Sequence, residues 1–157
     1  MRRVALTSLL VLGLAVPASS ARTEPVVPRF IQGLVKLKAG SLAYVPTRVP
    51  FRYRYLSYGY DKVRRIVTIR AADRRYPLNG RHTLVFTARR FAGTLASCGE
   101  GKQKSFQLDG NKVFWDGTLA WRCVRGPDGK LVRLAAAGPN LPDVALGQVV
   151  ASGKRIR

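Results

Sequence analysis

The chain has 157 residues, with 28 Lys and Arg against 8 Asp and Glu, a formal net charge of +20 and 46% hydrophobic residues. Apolar content this high excludes a disordered chain, and the length suits one domain with a core of its own better than two. Eight carboxylates and a single histidine leave little material for acid–base or metal chemistry.

Residues 1–21 read as a cleavable signal peptide. Arg2 and Arg3 supply the positive start, Val4 to Val16 the apolar run, and Ala18, Ser19, Ser20 and Ala21 the small residues before a cut after Ala21. The run is about 13 residues, short of the roughly 20 that a spanning helix needs. No cysteine follows it to accept a lipid, and the adjacent arginines read as the start of an ordinary Sec-type signal rather than a twin-arginine one. The expected location is therefore secreted or extracytoplasmic. Processing removes Arg2 and Arg3, so 26 Lys and Arg face 8 Asp and Glu and the mature net charge is +18. Such a surface meets anions: a cell-wall polymer, membrane headgroups or an acidic envelope protein, with nucleic acid not expected in that compartment. The competing reading is that the charge serves only solubility.

Residues 22–28, with Pro25 and Pro28, read as an exposed leader before a single domain over 29–157. Phe30, Ile31, Leu34, Val35 and Leu37 fall near one face of a short helix over 29–39 that Gly40 stops, although a strand over 34–38 fits nearly as well. Pro46 and Pro50 keep the next stretch extended and out of a sheet centre. Phe51, Tyr53 and Tyr55 then alternate with Arg52 and Arg54, the pattern of a strand with an aromatic and a cationic face, and Tyr58 and Tyr60 follow. A turn around Gly59 to Lys62 leads to a strand over 63–70, and Pro77, Leu78, Asn79 and Gly80 make the turn into another over 81–88. Asp109–Gly110–Asn111, Asp116–Gly117 and Gly126–Pro127–Asp128–Gly129 separate four further strands ending at Ala136. Asn140 is placed to cap a closing helix that starts near Leu141 and Pro142 and ends at Gly153. The expected fold is α+β and mostly antiparallel, a meander of about six strands with a C-terminal helix and a short N-terminal one.

Cys98 and Cys123 are the only cysteines, and in an oxidising compartment they are expected to form a disulfide; with His82 as the lone imidazole they make a poor zinc site. No metal or cofactor is expected. Asp109, Asp116, Asp128 and Asp143 have structural reasons in turns and at a helix start, which leaves Asp61, Asp73, Glu100 and His82 for any catalysis. The best candidate binding segment is Arg48, Arg52, Tyr53, Arg54, Tyr55, Tyr58 and Tyr60, where guanidinium groups that pair with anions interleave with rings that stack. The same alternation also describes a half-buried strand packing its tyrosines. Trp115 and Trp121 flank one turn and are expected to cover the core near Cys123, the alternative being a platform on which a sugar stacks. The arginine pairs at 64–65, 74–75 and 89–90 lie at strand ends, where they serve either as solvated charge or as parts of one patch.

The segment Ala43-Tyr44-Val45-Pro46-Thr47-Arg48-Val49-Pro50-Phe51 with its aromatic strand, and the closing Leu141-Pro142-Asp143-Val144-Ala145-Leu146-Gly147-Gln148-Val149-Val150-Ala151, resemble the ends of uncharacterised exported bacterial domains of actinobacterial type. That resemblance implies a non-enzymatic α+β envelope module and brings no catalytic residues. The sequence expectation is thus an exported, non-catalytic protein that binds an anionic polymer or a protein partner through a basic aromatic surface. The alternative is a hydrolase acting on wall glycan or peptide.

Overall fold

The computed structural model describes residues 26–74 and 82–157. The signal peptide, most of the leader and the turn expected at Pro77 to Gly80 lie outside them. Helix α1 (Arg29–Ala39) buries Ile31, Val35 and Ala39, spaced four apart down one face, and ends at Gly40, whose φ of 54° favours glycine. The expected face is therefore split: Ile31 and Val35 enter the core, whereas Phe30, Leu34 and Leu37 face out. The leader is also shorter than its prolines suggest, since Val27 is buried in the main core.

Strands β2 (Tyr55–Asp61), β3 (Ile66–Ala72), β4 (Thr83–Arg90), β5 (Lys104–Leu108), β6 (Asn111–Trp115), β7 (Leu119–Arg125) and β8 (Leu131–Ala137) form one antiparallel sheet in the order β2-β3-β4-β8-β7-β6-β5. The fold is α+β, as the turn spacing predicts. It is two meanders, joined where β8 docks on β4 with Arg89 opposite Arg133 and Phe86 opposite Ala136. A separate ribbon pairs β1 (Tyr44–Val45) with β9 (Lys154–Arg155), so the proline-bounded stretch stays outside the main sheet.

Two expected boundaries move for identifiable reasons. The first hairpin turns at residues 62–65, and Gly59 sits inside β2, because the Asp61 carboxylate accepts the backbone N–H groups of Val63 and Arg64 at 2.9 Å each and fixes the turn after itself. At the other end, helix α2 (Asp143–Ala151) starts after Pro142 rather than Asn140. Asn140 takes a φ of 62° and Pro142 holds the N-cap position without a side-chain bond.

The inner sheet face carries the main core. Val67, Ile69, Leu84, Phe86, Val132, Leu134 and Ala136 lie under α1 on one side and α2 on the other. Arg122 takes part in this face. It donates from Nε to the Val150 carbonyl at 3.1 Å, from Nη2 to the Gly153 carbonyl at 2.9 Å, and from Nη1 to Asn111. It thereby adds a second donor to the Val150 carbonyl, which also accepts the Gly153 N–H at 3.1 Å, and bonds the Gly153 carbonyl just past the end of α2. Burial lowers its guanidinium pKa from the ordinary value, with the nearby Tyr44 opposing that shift. Replacing Arg122 with Met fills the space but removes a donor from each of these carbonyls and from Asn111, and a loss of about 2 to 3 kcal/mol in urea unfolding is expected.

The outer face bears a second, smaller cluster of Cys98, Phe114, Trp121 and Ala135, with Phe91, Leu119 and Cys123 at its margin. Residues 91–103 cross this half of the sheet, and the Cys98–Cys123 disulfide fastens them to β7 with the two Cα atoms 6.1 Å apart. Trp121 donates its indole N–H to the Cys98 carbonyl at 2.6 Å, so ring and disulfide hold the same crossing segment. Among the described residues no helix is long and apolar enough to cross a membrane.

Candidate functional site

The segment singled out in the sequence does not form one surface. Strand geometry starts at Tyr55, four residues later than the alternation predicts, and the side-chain parity slips between Tyr53 and Leu56. Phe51 and Tyr53 pack against the main core, then Leu56, Tyr58 and Tyr60 do so, and Tyr55 is left on the outer face at 43% exposure. Tyr58 and Tyr60 thus point toward the α1 side, where Lys38 Nζ sits 6.0 Å from the Tyr58 ring. The Tyr53 hydroxyl donates to the Val26 carbonyl. Arg48 lies elsewhere, its guanidinium 3.0 Å from Asp109 in the β5–β6 turn and its backbone N–H on the Ser152 hydroxyl.

Arg52, Tyr53 and Arg54 stay together, apart from Tyr58 and Tyr60. With Asp73 and Arg74 they line a cavity of about 680 Å³ beside the start of β4. Here the structure joins two residues that the sequence left unpaired. Asp73 Oδ2 accepts the His82 backbone N–H at 3.2 Å and lies 3.4 Å from His82 Nδ1, while the imidazole stacks on Phe51 with centroids 5.5 Å apart. Asp73 Oδ1 is buried with no hydrogen-bond partner. A carboxylate that orients an imidazole is half of a general-base arrangement, but no Ser, Thr or Cys bonds to that imidazole among the described residues. The other acids are placed for structure: Asp61 in its turn, Glu100 exposed after the 3₁₀ turn at Ser97–Gly99. No group of three or more His, Cys, Asp or Glu that would hold a metal exists among the described residues. The two tryptophans share no platform, since Trp115 packs toward the main core under Lys104 and Trp121 is buried on the opposite face.

The larger concentration of charge lies at the foot of the outer face. A cleft of about 670 Å³ is floored by Phe91, Leu131 and the residues between Ala92 and Leu95, and Arg65, Arg90, Arg125 and Lys130 stand around it. The β4–β8 pairing is what assembles it. The pairing brings the end of β4, the start of β8 and the end of β7 to one edge, beside the β2–β3 turn that carries Arg65. One row further up the same face, Arg89 stands directly opposite Arg133.

The charges here are not balanced. No carboxylate lines the cleft among the described residues; Asp128, next to Gly129 in the β7–β8 turn, is held by Arg90, which bonds it through Nη1 and Nη2 and also donates to the Ser41 hydroxyl at 2.6 Å. The bond from Arg90 keeps the Asp128 pKa below its ordinary value, so this pair persists down through the usual carboxylate range as pH falls. Arg65, Arg89, Arg125 and Lys130 meet no carboxylate among the described residues. Arg133 lies over the Trp121 ring, 4.5 Å from its centroid, with its Nε buried and unbonded, and burial followed by repulsion from Arg89 lowers its pKa. Cations this dense, above a floor of backbone and one ring, concentrate positive potential along the cleft. Sequence reasoning held open that the arginine pairs at 64–65 and 89–90 form one patch, but it did not single out Arg125 or Lys130, which look like ordinary solvated strand ends.

The chain matches no protein-family model, no curated protein and no solved structure. The assignment of function therefore rests on the site itself.

Proposed function

We propose that the protein is an exported, non-catalytic domain of the cell envelope or extracellular space that binds an anionic polymer in the basic cleft at the foot of the outer sheet face. The observation that carries this reading is the convergence of Arg65, Arg125 and Lys130 on one cleft that no carboxylate lines among the described residues, the neighbouring Asp128 being held by Arg90. The apolar run and small-residue stretch at residues 1–21 support export, and the net charge of +20 supports retention by anionic material at a cell surface. A polyphosphate or polycarboxylate chain suits the cleft better than a small molecule, because Arg89 and Arg133 continue the positive surface beyond its edge.

The test uses long-chain polyphosphate as the probe. Affinity falls steeply as salt rises, because the binding free energy is largely electrostatic. The double substitution Arg125→Glu with Lys130→Glu is expected to weaken binding roughly 100-fold, whereas Arg48→Glu with Arg64→Glu, the same change in net charge at sites paired with Asp109 and Asp61, changes it by less than about threefold. Equal losses in the two variants would show that net charge alone drives binding and would overturn the cleft.

The Asp73–His82 pair supports a second reading, hydrolysis of wall glycan or peptide. Turnover that disappears with His82→Ala and persists in the Arg125/Lys130 variant would favour it over polymer binding.

A further inference from the structure

Helix α1 carries two apolar stripes where a helix on a globular surface needs one. Ile31, Val35 and Ala39 form the buried stripe. Phe30, Leu34 and Leu37, spaced i, i+4 and i+7, form a second that remains open to solvent at 69%, 37% and 82% exposure. At about 100° per residue the second stripe sits beside the first, with Lys38 between them and Arg29 and Lys36 on its far flank. All three cations are exposed, and the first turn of α1 holds no acidic residue. Core packing accounts for none of this second stripe.

We propose that α1 is an interfacial anchor that lays Phe30, Leu34 and Leu37 into the headgroup boundary of an anionic lipid bilayer, with Arg29, Lys36 and Lys38 against the lipid phosphates. Charge complementarity selects this occupant. A second copy of the chain would bring the same three cations face to face, whereas an anionic bilayer accepts apolar side chains and cations together. An aromatic ring and two leucines flanked by cations match the composition of helices that lie in a membrane interface rather than span it. The sheet's outer cleft lies on the face opposite α1, so a docked domain would still present Arg125 and Lys130 to a polymer.

The experiment is vesicle co-sedimentation of the processed chain beginning at Arg22, which retains every residue of both core clusters. Vesicles of phosphatidylglycerol and phosphatidylcholine are compared with phosphatidylcholine alone. The parent chain is expected to bind the anionic vesicles, and Phe30→Ser with Leu37→Ser to reduce that partition by roughly tenfold or more while melting with the parent, because both residues are exposed. The Arg125/Lys130 variant should retain most of its vesicle binding, which separates this site from the polymer cleft. Equal partition of parent and Phe30/Leu37 variant would overturn the anchor. So would a dimer that the same two substitutions dissolve in the absence of vesicle binding, since the stripe would then be covered by a second copy.

Discussion

Replacing Trp121 with Ala destabilises the protein by about 3 to 5 kcal/mol, among the largest effects expected of any single substitution outside the disulfide. Trp121 is 1% exposed and is the largest of the fully buried side chains. Three separate losses combine. The ring leaves a cavity next to Phe114, whose centroid is 5.9 Å away. The Cys98 carbonyl loses its donor. Arg133, already short of a partner at Nε, loses the ring over which its guanidinium lies. Urea unfolding should show the midpoint falling with little change in slope, as befits a native-state loss. Trp115→Ala, on the other sheet face and only partly buried, should cost about half as much or less. A Trp121→Ala loss below roughly 1.5 kcal/mol would mean that the outer cluster contributes little to folding.

Removal of the disulfide by Cys98→Ser with Cys123→Ser lowers stability by about 3 to 4 kcal/mol on the chain-entropy account, given the sequence separation of 25. The consequence for function follows from where the bridge acts. Residues 92–95, part of the cleft floor, belong to the segment that Cys98 fastens over the sheet. That segment has local support of its own, since Thr94 and Ser97 exchange side-chain bonds to each other's backbone N–H groups at 2.9 and 3.2 Å. Even so, losing the bridge should weaken polyphosphate binding severalfold at temperatures where the variant is still folded. The disulfide and Trp121 hold the same segment, so their substitutions should be less than additive; a double-mutant cycle measures the shortfall. Strict additivity would show that ring and bridge act on separate parts of the structure.

The elements that the sequence made legible are those whose information is local. The hairpin turns of the second meander carry Asp-Gly at positions that need positive φ: Asp109 at 49° and Gly110 at 73° close the β5–β6 hairpin, and the flanking strands fall within about two residues of expectation. The C-terminal helix and the disulfide were legible for similar reasons. What was not legible depends on pairing between distant segments. The contact of β8 with β4 is specified by fit across the whole sheet, and without it Arg65, Arg125 and Lys130 are three unrelated basic residues. The parity slip between Tyr53 and Leu56 is equally silent in the sequence. It accompanies a hydrogen bond from the Arg54 N–H to the Ala72 carbonyl just before strand pairing begins at Tyr55, and it scatters the aromatic residues that alternation had put on one face. The Asp73–His82 pair likewise needs the β3–β4 register to bring its members together.

The most direct test of the polymer cleft is an amide chemical-shift titration of the isotopically labelled protein with long-chain polyphosphate at low salt. The structure predicts that Arg65, Gly93, Thr94, Arg125, Gly129 and Lys130 shift first and together, that Arg89 and Arg133 follow, and that raising the salt reverses all of them. Shifts confined to Arg52, Arg54 and Arg74, or distributed evenly over every basic residue, would contradict it.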